Sequence, residues 1–255
     1  IDAEVTLAAG SATPDSVIGC ATFSSGSPVC GRWVGSDFSS THPQRMTLYV
    51  DGSALSISAR QYASLHAYTF EAVGWFAATG PQSLGSESGE LIVVDRKDSP
   101  FGRGWSVAGV EQLFFLDGNR LLWLGGDGSS RVYEPESLNR WRSPNLDRVD
   151  LITKADTLYT RVLPNNLRVQ FNSVGRHVAT VNRLDQHTYF RYDPSGDTLK
   201  IIKLALPSSG EGIGGLIPDS LYYKFDYSVP GQVIVTAPPI GTTPRVTTMT
   251  RSGGE

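Results

Sequence analysis

The sequence predicts an all-β chain, with a small β-sandwich over residues 1–95 and antiparallel β-hairpin repeats over 96–255. Three observations predict this. Apolar residues alternate with polar ones or form short β-branched and aromatic runs, and almost no stretch carries helical spacing. Gly, Asn and Asp turn signals punctuate those runs. A strand-turn-strand pattern recurs in the C-terminal half, and its units are too small to be stable singly.

Composition bounds the function. The 255 residues suit two domains, and 40% hydrophobic against 18% charged residues is enough to bury sizeable cores. A net charge of −3 and a pI near 5.8 leave no basic excess, so neither nucleic acid nor an anionic membrane is an expected partner. Apolar runs are only a few residues long, and no membrane insertion is expected. The chain opens at Ile1, its only methionines are Met46 and Met249, and it closes on Arg251-Ser252-Gly253-Gly254-Glu255. These ends read as those of an excised fragment, so the lack of a signal peptide carries no information about compartment.

The elements follow in chain order. Cys20 and Cys30 frame a small polar loop with Gly26 and Pro28, a spacing that suits a disulfide closing a hairpin; two buried free thiols are the alternative. Met46, Leu48 and Val50 alternate up to an Asp51-Gly52 turn, and Leu55 and Ile57 alternate after it. Tyr68–Phe76 and Leu91–Val94 read as further strands, with Pro81–Gly89 as an exposed loop before the last one. This is the pattern of an immunoglobulin- or fibronectin-like sandwich. Trp33 and Trp75 are its expected core anchors, an exposed sugar-stacking platform being the other use of such residues.

Beyond Asp98 the hairpin signals become dense. Phe114 and Phe115 lead into Asp117-Gly118-Asn119, Leu121–Leu124 into Gly125-Gly126-Asp127-Gly128, and Arg131–Tyr133 returns, giving a three-stranded meander. Downstream lies the repeat. Phe171 and Tyr192, Asn172 and Asp193, Gly175 and Gly196, Val178 and Leu199, and Val181 and Ile202 are each 21 residues apart. The Asn or Asp accepts backbone N–H groups and the Gly takes a left-handed conformation. A looser third copy opens at Tyr223-Lys224-Phe225-Asp226 and reaches Gly231, after an expected loop at Ser208–Asp219. Hairpins of this kind must stack into one continuous sheet to bury their apolar faces.

Tyr189-Phe190-Arg191-Tyr192-Asp193-Pro194-Ser195-Gly196 resembles the YD repeat of Rhs proteins, toxin-complex C subunits and teneurins, whose core reads Tyr-x-Tyr-Asp-x-x-Gly. Phe190 stands where the first Tyr usually is, and in the other copy Val169, Phe171 and Asn172 replace Tyr, Tyr and Asp. Ser99-Pro100-Phe101-Gly102-Arg103-Gly104-Trp105, followed by Ala108–Leu113, resembles an SPFG-x-GW…AGLE-x-L element that precedes the first repeats in bacterial members. Gly126–Ser130 matches the GDGS turn after it. The resemblance covers residues 90–204, extends more loosely to about 235, and does not include the first 90.

In that family the hairpins coil into a hollow shell around a C-terminal cargo, often a toxin, or support adhesion. The resemblance therefore implies a non-catalytic opening segment of such a shell, secreted or on a bacterial surface. Its partners would be the remainder of its own shell, the enclosed cargo and, in the adhesin alternative, a cell-surface protein or glycan. No family catalytic residue carries over.

The chain offers little other chemistry. His42, His66, His177 and His187 are scattered; His177 and His187 lie on adjacent repeat strands but lack a third ligand, and exposed strand positions are expected. Asp117, Asn119, Asp193 and Asp197 are explained by turns and do not form a calcium loop. Gly210, Gly212 and Gly215 fit a dinucleotide spacing, but Pro218 blocks the helix it requires. No Gly-x-Ser-x-Gly elbow is present. Glu134/Glu136 and Asp147/Asp150 read as polar-loop carboxylates, and no cofactor or metal is expected. In its Gly-Arg-Gly-Trp setting, Trp105 is expected to fill a junction, with Trp105→Ala costing roughly 3–5 kcal/mol. Trp141, in the polar Asn139–Pro144 loop, is the expected exposed contact residue.

Overall fold

The computed structural model describes residues 1–24, 27–51, 55, 63–97, 99–143, 150–194, 198–204, 222–240 and 243–250. The chain is all-β and divides into two compact units, Ile1–Val94 and Asp95–Glu255.

The first unit contains β1 (Asp2–Val5), β2 (Ser16–Phe23), β3 (Val29–Val34), β4 (Gln44–Thr47), β5 (Ala63–Phe76) and β6 (Gly80–Val94). A four-stranded sheet has the order β3-β2-β5-β6, and β1 pairs with β4 in a second sheet. Val17, Ala21 and Phe23 from β2, Phe70 and Ala72 from β5, and Met46 from β4 pack into one core with Phe38 and Leu48. Alternation explains the pattern, because every second residue of a strand faces the same way.

Three expectations for this unit are corrected. Trp75 is 45% exposed: Phe70 and Ala72 fix the inward parity of β5, and Trp75 falls on the opposite face. Trp33 is only partly buried, at the margin of the core. Pro81–Gly89 is not a loop but part of β6, which pairs with β5 from Phe76↔Gly80 to Ala63↔Val94. Its Ser and Gly residues are tolerated because β6 is an edge strand among the described residues, and Pro81 sits near its start. The expected Asp51-Gly52 turn and Ile57 lie outside the described residues, apart from Asp51 itself.

The second unit holds thirteen strands in one antiparallel sheet in strict chain order. They are β7 (Gln112–Phe115), β8 (Leu121–Leu124), β9 (Ser130–Ser137), β10 (Arg140–Arg142), β11 (Leu151–Ala155), β12 (Leu158–Val162) and β13 (Arg168–Phe171). There follow β14 (His177–Val181), β15 (His187–Tyr192), β16 (Leu199–Leu204), β17 (Tyr222–Asp226), β18 (Gln232–Ile240) and β19 (Thr243–Thr250). β7, β8 and β9 are the expected meander. Phe171 and Tyr192 end β13 and β15, and both lie at a register shift just before a turn. The aligned copies thus occupy equivalent places in one sheet.

One face of this sheet curls over its own core. Leu121 and Trp123, Tyr133, Trp141, Ile152, Tyr159, and Val169 and Phe171 bury together from six successive strands, with Leu113 of β7 among them. The first strand meets the seventh hairpin turn directly. The Leu113 N–H donates to the Gly175 carbonyl at 2.9 Å, and Gln112 bridges Arg176. Further along, Phe190, Leu199, Phe225 and Val233 form a second core, into which Phe101, Val107 and Val110 insert from the segment ahead of β7.

Candidate functional site

The turns are the most regular feature of the second unit. At residues 125–129, 163–167, 172–176 and 182–186, the N–H of the first residue donates to the carbonyl of the fifth. The N–H of the fourth donates back to the carbonyl of the first. The fourth residue has positive φ in each: Gly128 at 91°, Asn166 at 61°, Gly175 at 79° and Asp185 at 59°. This is the three-residue hairpin loop whose last residue is left-handed.

Asn172 Oδ1 accepts from the N–H groups of Val174 and Arg176, at 3.2 and 2.9 Å. Asn182 makes the same pair of bonds, to Leu184 and Gln186. Asp193 Oδ1 accepts from the Thr198 N–H at 3.2 Å, and Asp226 Oδ1 from the Ser228 N–H at 2.8 Å. Gly196 lies outside the described residues, as does the Ser208–Asp219 segment with Gly210, Gly212 and Gly215. Asp127 takes hydrogen bonds from the Ser129 hydroxyl and N–H, which hold its carboxyl below the usual carboxylate range. Asn182 and Asp185 were not recognised as a turn from sequence, because no glycine marks it.

Inside the curl lies a charged centre that the sequence reading missed. Arg161 on β12 is 6% exposed, with its guanidinium 3.8 Å from the Trp123 ring. Its Nε and Nη2 donate to Asp150 at 3.0 and 3.1 Å, and Nη1 lies 3.3 Å from Glu111. Tyr133 donates its hydroxyl to Asp150 at 2.6 Å, and Trp123 Nε1 donates to Glu111 at 2.6 Å. Arg131 completes the ring of donors on Asp150. Asp150 is therefore a buried ion-pair partner rather than the expected polar-loop carboxylate; Asp147 lies outside the described residues.

The electrostatics follow from burial set against these partners. Burial drives the Glu111 carboxyl up, and Arg161 and Trp123 only partly offset it. Burial also pushes Asp150 up, but the hydrogen bonds of Arg161 and Tyr133 outweigh it and hold Asp150 below its ordinary value. Burial lowers Arg161 in turn, and its bonds to Asp150 more than reverse this. Glu111 and Asp150 balance Arg131 and Arg161 in formal charge, so the centre is a neutral, hydrogen-bonded clamp. It joins β8, β9 and β12 to the segments just before β7 and β11.

His177 extends the same centre and corrects an expectation. It is fully buried rather than exposed. Its Nδ1 accepts from the Glu111 N–H at 3.2 Å, which assigns the proton to Nε2, 2.8 Å from the Thr180 hydroxyl. Burial pushes its pKa down to about 3. Ladder register pairs Val181 with His187 and so places His187 at the far end of β14 from His177.

Two tryptophans are also corrected. Trp141 is buried at 3% exposure, with its Nε1 donating to the Asn119 carbonyl at 2.6 Å and its ring 5.6 Å from Tyr159. Trp105 is 70% exposed. In its place Phe101 fills the gap, edge-on to Phe225 at 5.9 Å and close to Tyr227. Ser99 donates to the Trp105 carbonyl at 2.6 Å, and Gly104 to the Arg96 carbonyl at 3.0 Å; Gly102 and Gly104 both carry positive φ, next to a half-buried Pro100. Arg96 reaches the Gly125 and Gly126 carbonyls at 2.8 and 3.2 Å. The junction element is thereby fastened to the turn that follows it.

In the first unit Cys20 and Cys30 form a disulfide between directly paired residues of β2 and β3. Ser64 lies 2.8 Å from His66 Nε2, two residues away on β5. A hydroxyl and an imidazole alone lack the orienting group and oxyanion donors that acyl transfer needs. Among the described residues no three His, Cys, Asp or Glu side chains converge as a metal site. Among them, too, no helix is long and apolar enough to cross a membrane. No protein-family model, no curated protein and no solved structure matches the chain.

Proposed function

We propose that this chain is a non-catalytic structural segment of a secreted or surface-exposed bacterial protein of the YD-repeat type, forming the opening of a β-shell that encloses cargo. One observation carries the reading: a sheet of thirteen strands in chain order curls until its first strand hydrogen-bonds the β13–β14 turn. A sheet that winds back on its own beginning starts a spiral wall, and its far edge at β19 offers the next hairpin a template. The buried clamp supports the same reading, because its carboxylates are spent on fixing the curl. The Cys20–Cys30 disulfide fits an oxidising compartment.

Cryo-electron microscopy of the full-length natural polypeptide tests the proposal. The expected result is a sheet that continues from β19 around a closed lumen. A full-length protein in which β19 remains a terminal strand and no lumen exists would overturn it. A second reading, a carbohydrate-binding adhesin, is favoured by Trp75, half-exposed on the outer face of the four-stranded sheet. A glycan array probed with the wild type and Trp75→Ala separates the two, since tryptophan-dependent sugar binding belongs to the adhesin alone.

A further inference from the structure

We infer that the groove between β1 and β6 of the first unit is a docking site for an extended basic strand from another polypeptide, which would add to the edge of β1 turned away from β4. The groove has a volume of about 430 Å³ and runs along Ile1–Thr6 on one side and Leu84–Ser88 on the other, floored by Tyr68, Phe70 and Ala72. Among the described residues both flanking strands are edges, β1 pairing only with β4 and β6 only with β5.

The hydrogen-bond phase of β1 shows what it offers. Ile1 and Leu48 exchange both backbone bonds, at 2.9 and 2.8 Å. Such pairs alternate along an antiparallel ladder, so Ala3↔Met46 and Val5↔Gln44 are bonded in the same way. Asp2 and Glu4 therefore direct their N–H and C=O groups into the groove, where an extended segment can pair with them. Ala3, Val5 and Leu84 pack against the core beside it, ready to receive apolar side chains at alternate positions.

Charge selects the other positions. Glu4 and Glu87 are both exposed at the rim, and Asp2 adds a third carboxylate, already held by Arg45 and Thr47. A strand alternating apolar residues with lysine or arginine satisfies the backbone edge, the apolar floor and the acidic rim together.

The test uses the 255-residue chain with three synthetic decapeptides. One alternates valine and lysine, one replaces lysine by glutamate, and one keeps the valine–lysine sequence with N-methylated backbone amides. Fluorescence anisotropy is expected to show the first binding at least tenfold more tightly than either control. Glu4→Lys with Glu87→Lys should weaken it at least tenfold, and bound peptide should slow amide exchange at Glu4 at least tenfold. Equal binding of the N-methylated peptide, or protection at β19 instead of β1, would overturn the inference. So would dimerisation of the free chain that protects the same amide, since the groove would then belong to a second copy.

Discussion

Gly175 is the point at which the curl closes, and its replacement by alanine isolates that contact. Two costs combine there. A left-handed φ of 79° penalises an L side chain by roughly 1–2 kcal/mol, less a part recovered because glycine loses more entropy on folding. A Cβ at this position would also lie 2.0 Å from the Leu113 carbonyl oxygen, so β7 must move away. That movement breaks the Leu113 N–H to Gly175 carbonyl bond, and leaving a buried donor unpaired costs roughly 1–3 kcal/mol. Gly128 is the internal control, at the same turn position with φ of 91° and no atom within 4 Å of a built Cβ. The expected losses are about 1 kcal/mol for Gly128→Ala and about 3 kcal/mol for Gly175→Ala. Urea unfolding followed by the fluorescence of buried Trp123 and Trp141 measures both, and the amide exchange of Leu113 should accelerate roughly thirtyfold in Gly175→Ala only. Equal losses in the two variants, or an unchanged Leu113 amide, would refute the claim that β7 is docked on this turn.

Four further outcomes are expected. Arg161→Met leaves Glu111 and Asp150 buried without their shared cation and should cost roughly 3–5 kcal/mol in urea unfolding, an unchanged midpoint counting against the clamp. His177 is held neutral with its pKa lowered from 6.5 to about 3, so the unfolded chain takes up this proton first as pH falls. Its contribution is complete above pH 6.5 and is lost towards pH 3, roughly 4–5 kcal/mol in all. That component of the pH profile should vanish in His177→Phe. Trp141→Ala should cost roughly 3–5 kcal/mol and Trp105→Ala within about 0.5 kcal/mol, compared by thermal unfolding. Removing the disulfide with Cys20→Ser and Cys30→Ser releases a short loop and should lower the stability of the first unit by roughly 2–3 kcal/mol in urea unfolding.

The sequence made the hairpin architecture legible because turn chemistry is local. Asn172 and Asp193 accept the backbone N–H groups assigned to them, since a short side chain two to five residues away has little choice. The 21-residue spacing captured only one edge of the sheet. Leu163, Asn172, Asn182 and Asp193 begin successive turns at alternating ends of the strands, and the intervening turns place Asn166 and Asp185, not glycine, in the left-handed conformation. Gly175 must be glycine because β7 presses on it as well, which is a tertiary fact. The tryptophans failed for a related reason. Arg140-Trp141-Arg142 lies among polar residues that suggest a loop, yet its strict alternation describes a strand with the indole inward and the guanidinium groups outward. In β5, apolar residues of both parities hid which face Trp75 would take. Glu111, Asp150 and Arg161 were out of reach, because only the curl brings residues so distant in sequence into one centre.

The order of the large sheet has a consequence for how it comes into being. Each strand from β8 onward can pair on the hairpin before it, so the sheet can lengthen step by step as the polypeptide is synthesised. The seam at Leu113 differs from these ladder steps, because it must wait until Gly175 has been delivered. Before it arrives, Arg161 on β12 can already reach Glu111 and Asp150, so the clamp gathers the ribbon first and the seam then fixes its opening strand. Arrival of the β13–β14 turn thus pins β7 in the curl, and the later strands β15 to β18 then cover Phe101, Val107 and Val110.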